Sequence, residues 1–285
     1  MRFATFDSAG REQYGYLDGD TLVSLSDGPD APPDLASYLA LHHGRWQTSA
    51  PGPRHALDSV TLLPLIPDPS KVFCVATNFH EPARGDKPVP AYPLLFTRIP
   101  EAQVGHGSAI LKPAVSEKYD FEGELAVIIG QPGHKIPREE ALSHVAGYSC
   151  FNDGSVRDWQ KHSTQFTPGK NFARSGSFGP YLVTPDEAPA PADLRLETRV
   201  NGVVKQAIAL ENMIFDVSWL IAYCSTFAPL RPGDVIVTGT PSGFGSTRTP
   251  PEFLAPGDLV EVEIPGIGLL ANRVAQDGDP RGQFS

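Results

Sequence analysis

The chain has 285 residues, 40% of them hydrophobic, enough to fill one large core and leave material for a small appendage. Its formal net charge is −10, and its lysines and arginines form no block or stripe, so the electrostatic footprint of a nucleic-acid or anionic-membrane binder is missing. No apolar run approaches the roughly 18 residues of a membrane span, and the first residues lack a basic-then-apolar leader, so the expectation is a cytoplasmic protein with no membrane partner.

Taken in chain order, residues 1–6, 13–17 and 21–24 read as short strands, with Asp18-Gly19-Asp20 as a hairpin turn. Residues 34–43 read as a helix. Residues 49–70 are proline-rich and weakly periodic, which suggests a linker between a small N-terminal domain, 1–65, and a larger one, 66–285. Strands are expected at 72–75 and 93–96. The segment between them, 80–92, is too polar and proline-laden for a core, so it is either a solvent loop or a lid over a site.

Pro137-Arg138-Glu139-Glu140 has the signature of a helix start, followed by a strand over 146–151. An apolar stripe at helical spacing runs through 211–228 and suits core packing, with a subunit contact as the alternative. Pro-Gly-Asp turns at Pro232 and Pro256 each launch an alternating strand, 235–238 and 259–264, and the tail after Val274 is polar and expected to fray. Many short strands with few helices predict an α+β, β-rich fold, a mixed β-roll or sandwich. Cys74, Cys150 and Cys224 are odd in number and sit among apolar neighbours, as free buried thiols would.

The most informative segment is Asp120-Phe121-Glu122-Gly123-Glu124-Leu125-Ala126-Val127-Ile128-Ile129. Side chains at i and i+2 of a strand share a face, so Glu122 and Glu124 repel each other unless a cation sits between them. Alone, such a pair is usually the solvated face of a sheet. Asp153 in Asn152-Asp153-Gly154-Ser155-Val156-Arg157 offers a third oxygen ligand, and an all-oxygen set suits Mg²⁺, Mn²⁺ or Ca²⁺ rather than Zn²⁺. Three carboxylates around such an ion leave a charge of about −1, so an anionic substrate needs nearby cations. Arg157 and Lys170 are the candidates. A helix starting near Gly154 would put Asp153, Arg157 and Gln160 on one side, with an intrahelical pair of Arg157 to Asp153 or Asp158 as the plainer alternative. Thr240, in Gly239-Thr240-Pro241-Ser242-Gly243, offers a hydroxyl and an amide to a ligand carboxylate.

Together with Pro168-Gly169-Lys170-Asn171-Phe172, these segments resemble, in order and over residues 70–275, the motifs of the fumarylacetoacetate hydrolase superfamily, and in particular its bacterial acylpyruvase and diketo-acid hydrolase members. The resemblance implies a metal on Glu122, Glu124 and Asp153, Mg²⁺ foremost, with Lys170 pointing into that site, and a homodimer. It further implies binding of a small anionic 2-oxo acid through Arg157, Gln160, Lys170 and Thr240. The implied reaction is hydrolysis of a 2,4-dioxo acid (an acylpyruvate, fumarylpyruvate or a diketo-deoxy sugar acid) through a stabilised enolate. Decarboxylation of oxaloacetate-like acids, isomerisation of 2-hydroxydiene dioates, and a non-catalytic metal-stiffened relative are the alternatives. The hydrolases of the superfamily usually carry N-Y-x-x-H-x-x-E for water activation. This chain reads Asn78-Phe79-His80-Glu81-Pro82-Ala83-Arg84-Gly85, with Pro82 and Gly85 at the His and Glu positions, so the catalytic pair becomes His80 and Glu81, supported by Lys170.

Overall fold

The computed structural model describes residues 1–46, 52–81, 85 and 88–278. In chain order the elements are β1 (Arg2–Ser8), β2 (Arg11–Asp18), β3 (Thr21–Ser24), α1 (Leu35–Leu41), β4 (Arg54–Ala56), β5 (Thr61–Leu62), β6 (Val72–Ala76), β7 (Leu94–Thr97), β8 (Gln103–Val104), β9 (Ile110–Lys112), β10 (Tyr119–Asp120), β11 (Gly123–Ile129), β12 (Val145–Asn152) and β13 (Ser155–Val156). There follow α2 (Arg157–Gln160), α3 (Thr167–Lys170), β14 (Gly176–Val183), β15 (Arg195–Val200), β16 (Val203–Ala209), α4 (Val217–Phe227), β17 (Val235–Val237), β18 (Leu259–Ile264) and β19 (Gly268–Gln276). Strands dominate, as the sequence predicts.

Among the described residues a 12-stranded sheet runs β4-β3-β2-β1-β14-β12-β11-β17-β6-β7, with β5 and β8 attached at β1 and β14. A second sheet, β16-β15-β18-β19-β9, packs against it. Their interface follows from the two-residue period of β11, which is buried along its whole length. Leu125, Val127 and Ile129 face Leu196, Val262, Ile264 and the apolar stripe of α4, while Ala126 and Ile128 face a second cluster with α1 and Phe3. A strand covered on both faces needs an unbroken apolar run, and this one has it right after Glu124.

The first 62 residues do not form a sheet of their own. Arg2 and Phe3 of β1 pair with Val183 and Leu182 of β14, so the N-terminal strands extend the large sheet. Residues 54–62, inside the expected linker, form β4, a short 3₁₀ turn and β5, which pair with β3 and β1. The helix read at 34–43 is α1, capped by the Asp34 carboxylate on the Ser37 N–H.

Two helix expectations are corrected. The segment from Pro137 becomes a 3₁₀ helix, Arg138–His144, closed by i+3 bonds such as Glu140 N–H to Pro137 O. The stripe at 211–228 begins only at Val217, because the preceding residues are engaged elsewhere. Ile214 N–H donates to Asn78 O and Phe215 N–H to the Asn78 side-chain oxygen, and Asp216 then caps α4 by accepting from Trp219 N–H at 2.7 Å. The expected tail after Val274 still belongs to β19, which runs to Gln276, while residues 279–285 lie outside the described residues. All three cysteines are buried and free, and no described helix is long and apolar enough to cross a membrane.

Candidate active site

The antiparallel pairing of β11 with β12 places Gly123 opposite Asn152, and the ladder continues one step further as Asp153 N–H donates to Glu122 O at 2.8 Å. Two strand ends far apart in sequence thereby bring Glu122, Glu124 and Asp153 together. Their ligand oxygens lie within 4.8 Å of one another and all three residues are buried.

Each carboxylate is held differently. Glu122 accepts from Arg157 Nη1 at 2.6 Å and from Lys170 Nζ at 2.7 Å. Asp153 accepts from Lys170 Nζ at 2.5 Å and, on its other oxygen, from Arg98. Burial alone would raise the Asp153 pKa, but Lys170 and Arg98 outweigh it and hold the group below the usual carboxylate range. Lys170 is the mirror case: burial would lower its pKa, and Asp153 and Glu122 push it above the ordinary lysine value, so Nζ stays protonated. Among the described residues Glu124 makes no ion pair. It accepts the Gly239 N–H at 2.5 Å, and burial followed by the charges of Asp153 and Glu122 pushes its pKa well up.

Two glycines make this geometry possible. Gly239 has φ +101°, and a Cβ there would meet the Asn78 Cβ at 2.9 Å, so only glycine brings its amide onto Glu124. A Cβ on Gly169 would lie 2.4 Å from Gln160 N, and without that close approach of α3 to α2 the lysine that ends α3 would not reach Glu122 and Asp153.

Arg157 departs from its expected setting. The helix starts at Arg157 rather than near Gly154, because Ser155 and Val156 pair with Asp120 and Tyr119 as a short ladder. The guanidinium pairs with neither Asp153 nor Asp158. Its Nε donates to Asp120 at 2.7 Å and its Nη1 to Gln160 Oε1 at 3.1 Å, beside the bond to Glu122, and its Cζ lies 4.5 Å over the Phe244 ring. Arg157 Nη2 is buried with no hydrogen-bond partner among the described residues. Asp120 in turn accepts the backbone N–H groups of Gly245 and Ser246 at 2.7 and 2.9 Å. Thr240 faces the scaffold: its hydroxyl donates to Gly123 O at 2.9 Å and accepts from Gln206 Nε2 at 2.8 Å.

Sequence reasoning missed Arg98, Asp120 as an anchor, and Gln206, which also accepts the Gly123 N–H at 3.0 Å. Arg98 left a signal, a charged residue directly ending the apolar strand Leu94-Leu95-Phe96-Thr97, and it is fully buried here. Gln206 left none, since glutamine in an exposed hairpin strand has no marked pattern. His80 is exposed and its backbone N–H donates to Asn212 O at 2.8 Å, while both oxygens of Glu81 lie within reach of the Ser242 N–H, at 3.0 and 2.8 Å. Of the segment read as a lid, residues 82–84 and 86–87 lie outside the described residues.

The donor set fits a hard divalent cation. Four buried carboxylates, Asp120, Glu122, Glu124 and Asp153, face three cations, Arg98, Arg157 and Lys170, so the charge of an ionised Glu124 is the one left unbalanced, in keeping with its raised pKa. Each carboxylate offers about four lone-pair positions, so Glu122 and Asp153 keep acceptor capacity beyond their present partners. A divalent ion among the three would turn the local charge from one negative to one positive, which attracts rather than repels an anion.

A β-rich two-sheet fold with an acidic triad at the joined ends of neighbouring strands defines a class of enzymes built on an oxygen-ligand metal centre. Residues 71–275 match the family described as fumarylacetoacetate (FAA) hydrolase C-terminal, and the chain belongs to that family. It is 40% identical over 225 residues to an oxaloacetate tautomerase of Bacillus subtilis, spanning 77% of this chain and 75% of that one. Among solved structures, a fumarylacetoacetate hydrolase from psychrophilic Exiguobacterium antarcticum superposes with a TM-score of 0.87 at 36% identity, covering 97% of this chain and 99% of the other. A maleylpyruvate hydrolase from a Sphingobium species, solved with manganese(II) and pyruvate, superposes with a TM-score of 0.79 at 28% identity over 97% and 99% of the two chains.

Proposed function

We propose that this protein is a divalent-metal-dependent enzyme that interconverts the keto and enol forms of oxaloacetate or a close 2-oxo diacid. Of the chemistries the resemblance implies, C–C hydrolysis, decarboxylation and proton transfer, one observation speaks against the first. Hydrolysis needs a base that activates water. The carboxylate nearest that role, Glu81, is bound to the backbone N–H of Ser242, and His80 is turned to the surface. Pro82 and Gly85 stand where the hydrolases of the superfamily usually carry histidine and glutamate. The likeness to the Bacillus subtilis tautomerase supports the same reading.

Glu122, Glu124 and Asp153 would hold the ion, Mg²⁺ first, with Mn²⁺ as the variant found in the Sphingobium relative. When bound, it supplies Lewis acidity that favours the enolate of a 2-oxo acid. Lys170 Nζ keeps its proton and offers an N–H to the oxygen on which negative charge develops. The partnerless Arg157 Nη2 can donate to the substrate carboxylate while Nε and Nη1 stay anchored to Asp120, Glu122 and Gln160. Asp120 and Thr240 keep the turn at 239–246 in register with this site. A homodimer acting in the cytoplasm accords with the family reading.

The test supplies oxaloacetate and a panel of acylpyruvates with Mg²⁺ and identifies every product by NMR. The expected result is fast proton exchange at C3 of oxaloacetate with no carboxylic acid released from any acylpyruvate. Stoichiometric pyruvate and acid from an acylpyruvate, at a rate exceeding oxaloacetate exchange, would make the protein a hydrolase instead.

A further inference from the structure

A pocket of about 490 Å³ opens beside the turn that follows Gly239, lined by Ser242, Gly243, Thr247, Arg248, Thr249 and Glu252. The segment that forms its wall also supports the active site. Gly239 holds Glu124, Ser242 holds Glu81, and Gly245 and Ser246 hold Asp120, so the pocket wall and the triad's supports are one segment. Gly239 and Ser242 are three residues apart, at most about 11 Å of extended chain.

The pocket's charge suits an anion. Its one carboxylate, Glu252, is neutralised twice, by Lys205 Nζ at 2.5 Å and by Arg248 Nε at 3.0 Å. Those two cations, Lys205 first, hold the Glu252 pKa below the usual carboxylate range, and because Lys205, outside the lining, pairs with Glu252, the cluster of Lys205, Arg248 and Glu252 carries one positive charge in excess. Arg248 is positioned by Glu252 and by Nη1 donating to Gly243 O at 3.3 Å, which leaves both N–H groups of Nη2 free of partners among the described residues. The Ser242 hydroxyl likewise has no partner among them, because its backbone amide alone serves Glu81. Lys170, by contrast, spends two of its three N–H donors on buried carboxylates, and Arg157 spends Nε and Nη1 on Asp120, Glu122 and Gln160, which leaves it Nη2 alone.

Resting on the proposed function, we infer that this pocket is the subsite for the remote carboxylate of a four-carbon 2-oxo diacid, with Arg248 as the residue that sets specificity and Ser242 as a second donor. The 2-oxo end would lie at the triad, and the carboxylate at C4 would reach the turn at 242–248. A guanidinium suits this role because it offers paired N–H groups to a planar carboxylate. A 2-oxo monoacid such as pyruvate would meet the same metal-side groups and leave Arg248 unused.

Oxaloacetate and pyruvate differ only by that carboxylate, so their ratio isolates it. C3 proton exchange of both is followed by NMR in D₂O with Mg²⁺, for wild type, Arg248→Met and Arg248→Lys, and their Mg²⁺-dependent binding is measured by calorimetry. The expected result is at least a tenfold narrowing of the oxaloacetate-over-pyruvate affinity ratio in Arg248→Met, with part of it restored in Arg248→Lys. An unchanged ratio in Arg248→Met would overturn the inference. Failure of the functional reading is a separate outcome: wild type would then exchange neither acid, while the calorimetric ratio alone would still decide whether Arg248 grips a remote carboxylate.

Discussion

Glu124 carries the cost of the active site most plainly, since it is buried, its pKa is pushed up, and its one hydrogen-bond donor among the described residues is a backbone amide. Glu122 and Asp153 are each matched by two cationic side chains, so an added ion acts chiefly on Glu124. The sequence made the triad legible because three acids beside apolar runs are chemically conspicuous. It hid the balance around them: that Arg98 pairs with Asp153 and Asp120 with Arg157 depends on contacts between segments distant in sequence. Breaking a buried pair leaves an uncompensated charge, typically about 3–5 kcal/mol of lost stability. Arg98→Met is therefore expected to destabilise the metal-free protein by about that amount. Mg²⁺ should then recover a larger share of Tm in the variant than in wild type, since the ion meets one more unbalanced negative charge. Thermal melts with EDTA and with Mg²⁺ check this, and equal metal-induced shifts in both proteins would remove Arg98 from the charge balance.

At the scale of elements, a single buried side chain joins the strand and helix that frame the site. Asn78, just after β6, donates from Nδ2 to Phe215 O at 3.0 Å and to Thr238 O at 2.7 Å, and accepts the Phe215 N–H at 2.8 Å. That clasp is why α4 starts six residues later than its apolar stripe. Periodicity reports which face of a segment is apolar, but not whether its backbone is already bonded elsewhere. Asn78→Ala strands three buried backbone groups and should cost at least about 3 kcal/mol by chemical denaturation, at roughly 1–3 kcal/mol for each group left unsatisfied. A loss below 1 kcal/mol would show that the clasp is dispensable.

The loop before β9 makes a different link, as His106 Nδ1 accepts the Ala271 N–H at 3.1 Å. Burial lowers the His106 pKa below its usual 6.5 despite a raising bond from Leu269. The folded state thus binds its proton less tightly than the unfolded chain does. The resulting stability is complete above the unfolded pKa and is lost as pH falls through the lowered folded value. Comparing wild type with His106→Gln from pH 7 down to pH 5 should show a steeper decline of Tm in wild type, and parallel profiles would contradict the assignment.

For the whole molecule, the sequence read the β-rich class and the strand-borne centre, while the joining of the N-terminal strands to the large sheet stayed hidden. The pairing of Arg2 and Phe3 with Val183 and Leu182 links positions about 180 residues apart, and nothing in a local window records it. The same limit applies to function. Motif order identifies the family, and Pro82 and Gly85 already weigh against a water-activating pair in the sequence, while the exposure of His80 and the Ser242 N–H on Glu81 are seen only in the folded chain. The most direct test of the central claim follows the decay of enol-oxaloacetate absorbance with wild type and with Glu124→Ala, each with Mg²⁺ and with EDTA. The account predicts that wild type with Mg²⁺ accelerates ketonisation at least a hundredfold over the three other conditions, and that Mg²⁺ uptake by calorimetry is lost in the variant. Equal acceleration by wild type in EDTA, or by Glu124→Ala with Mg²⁺, would contradict it.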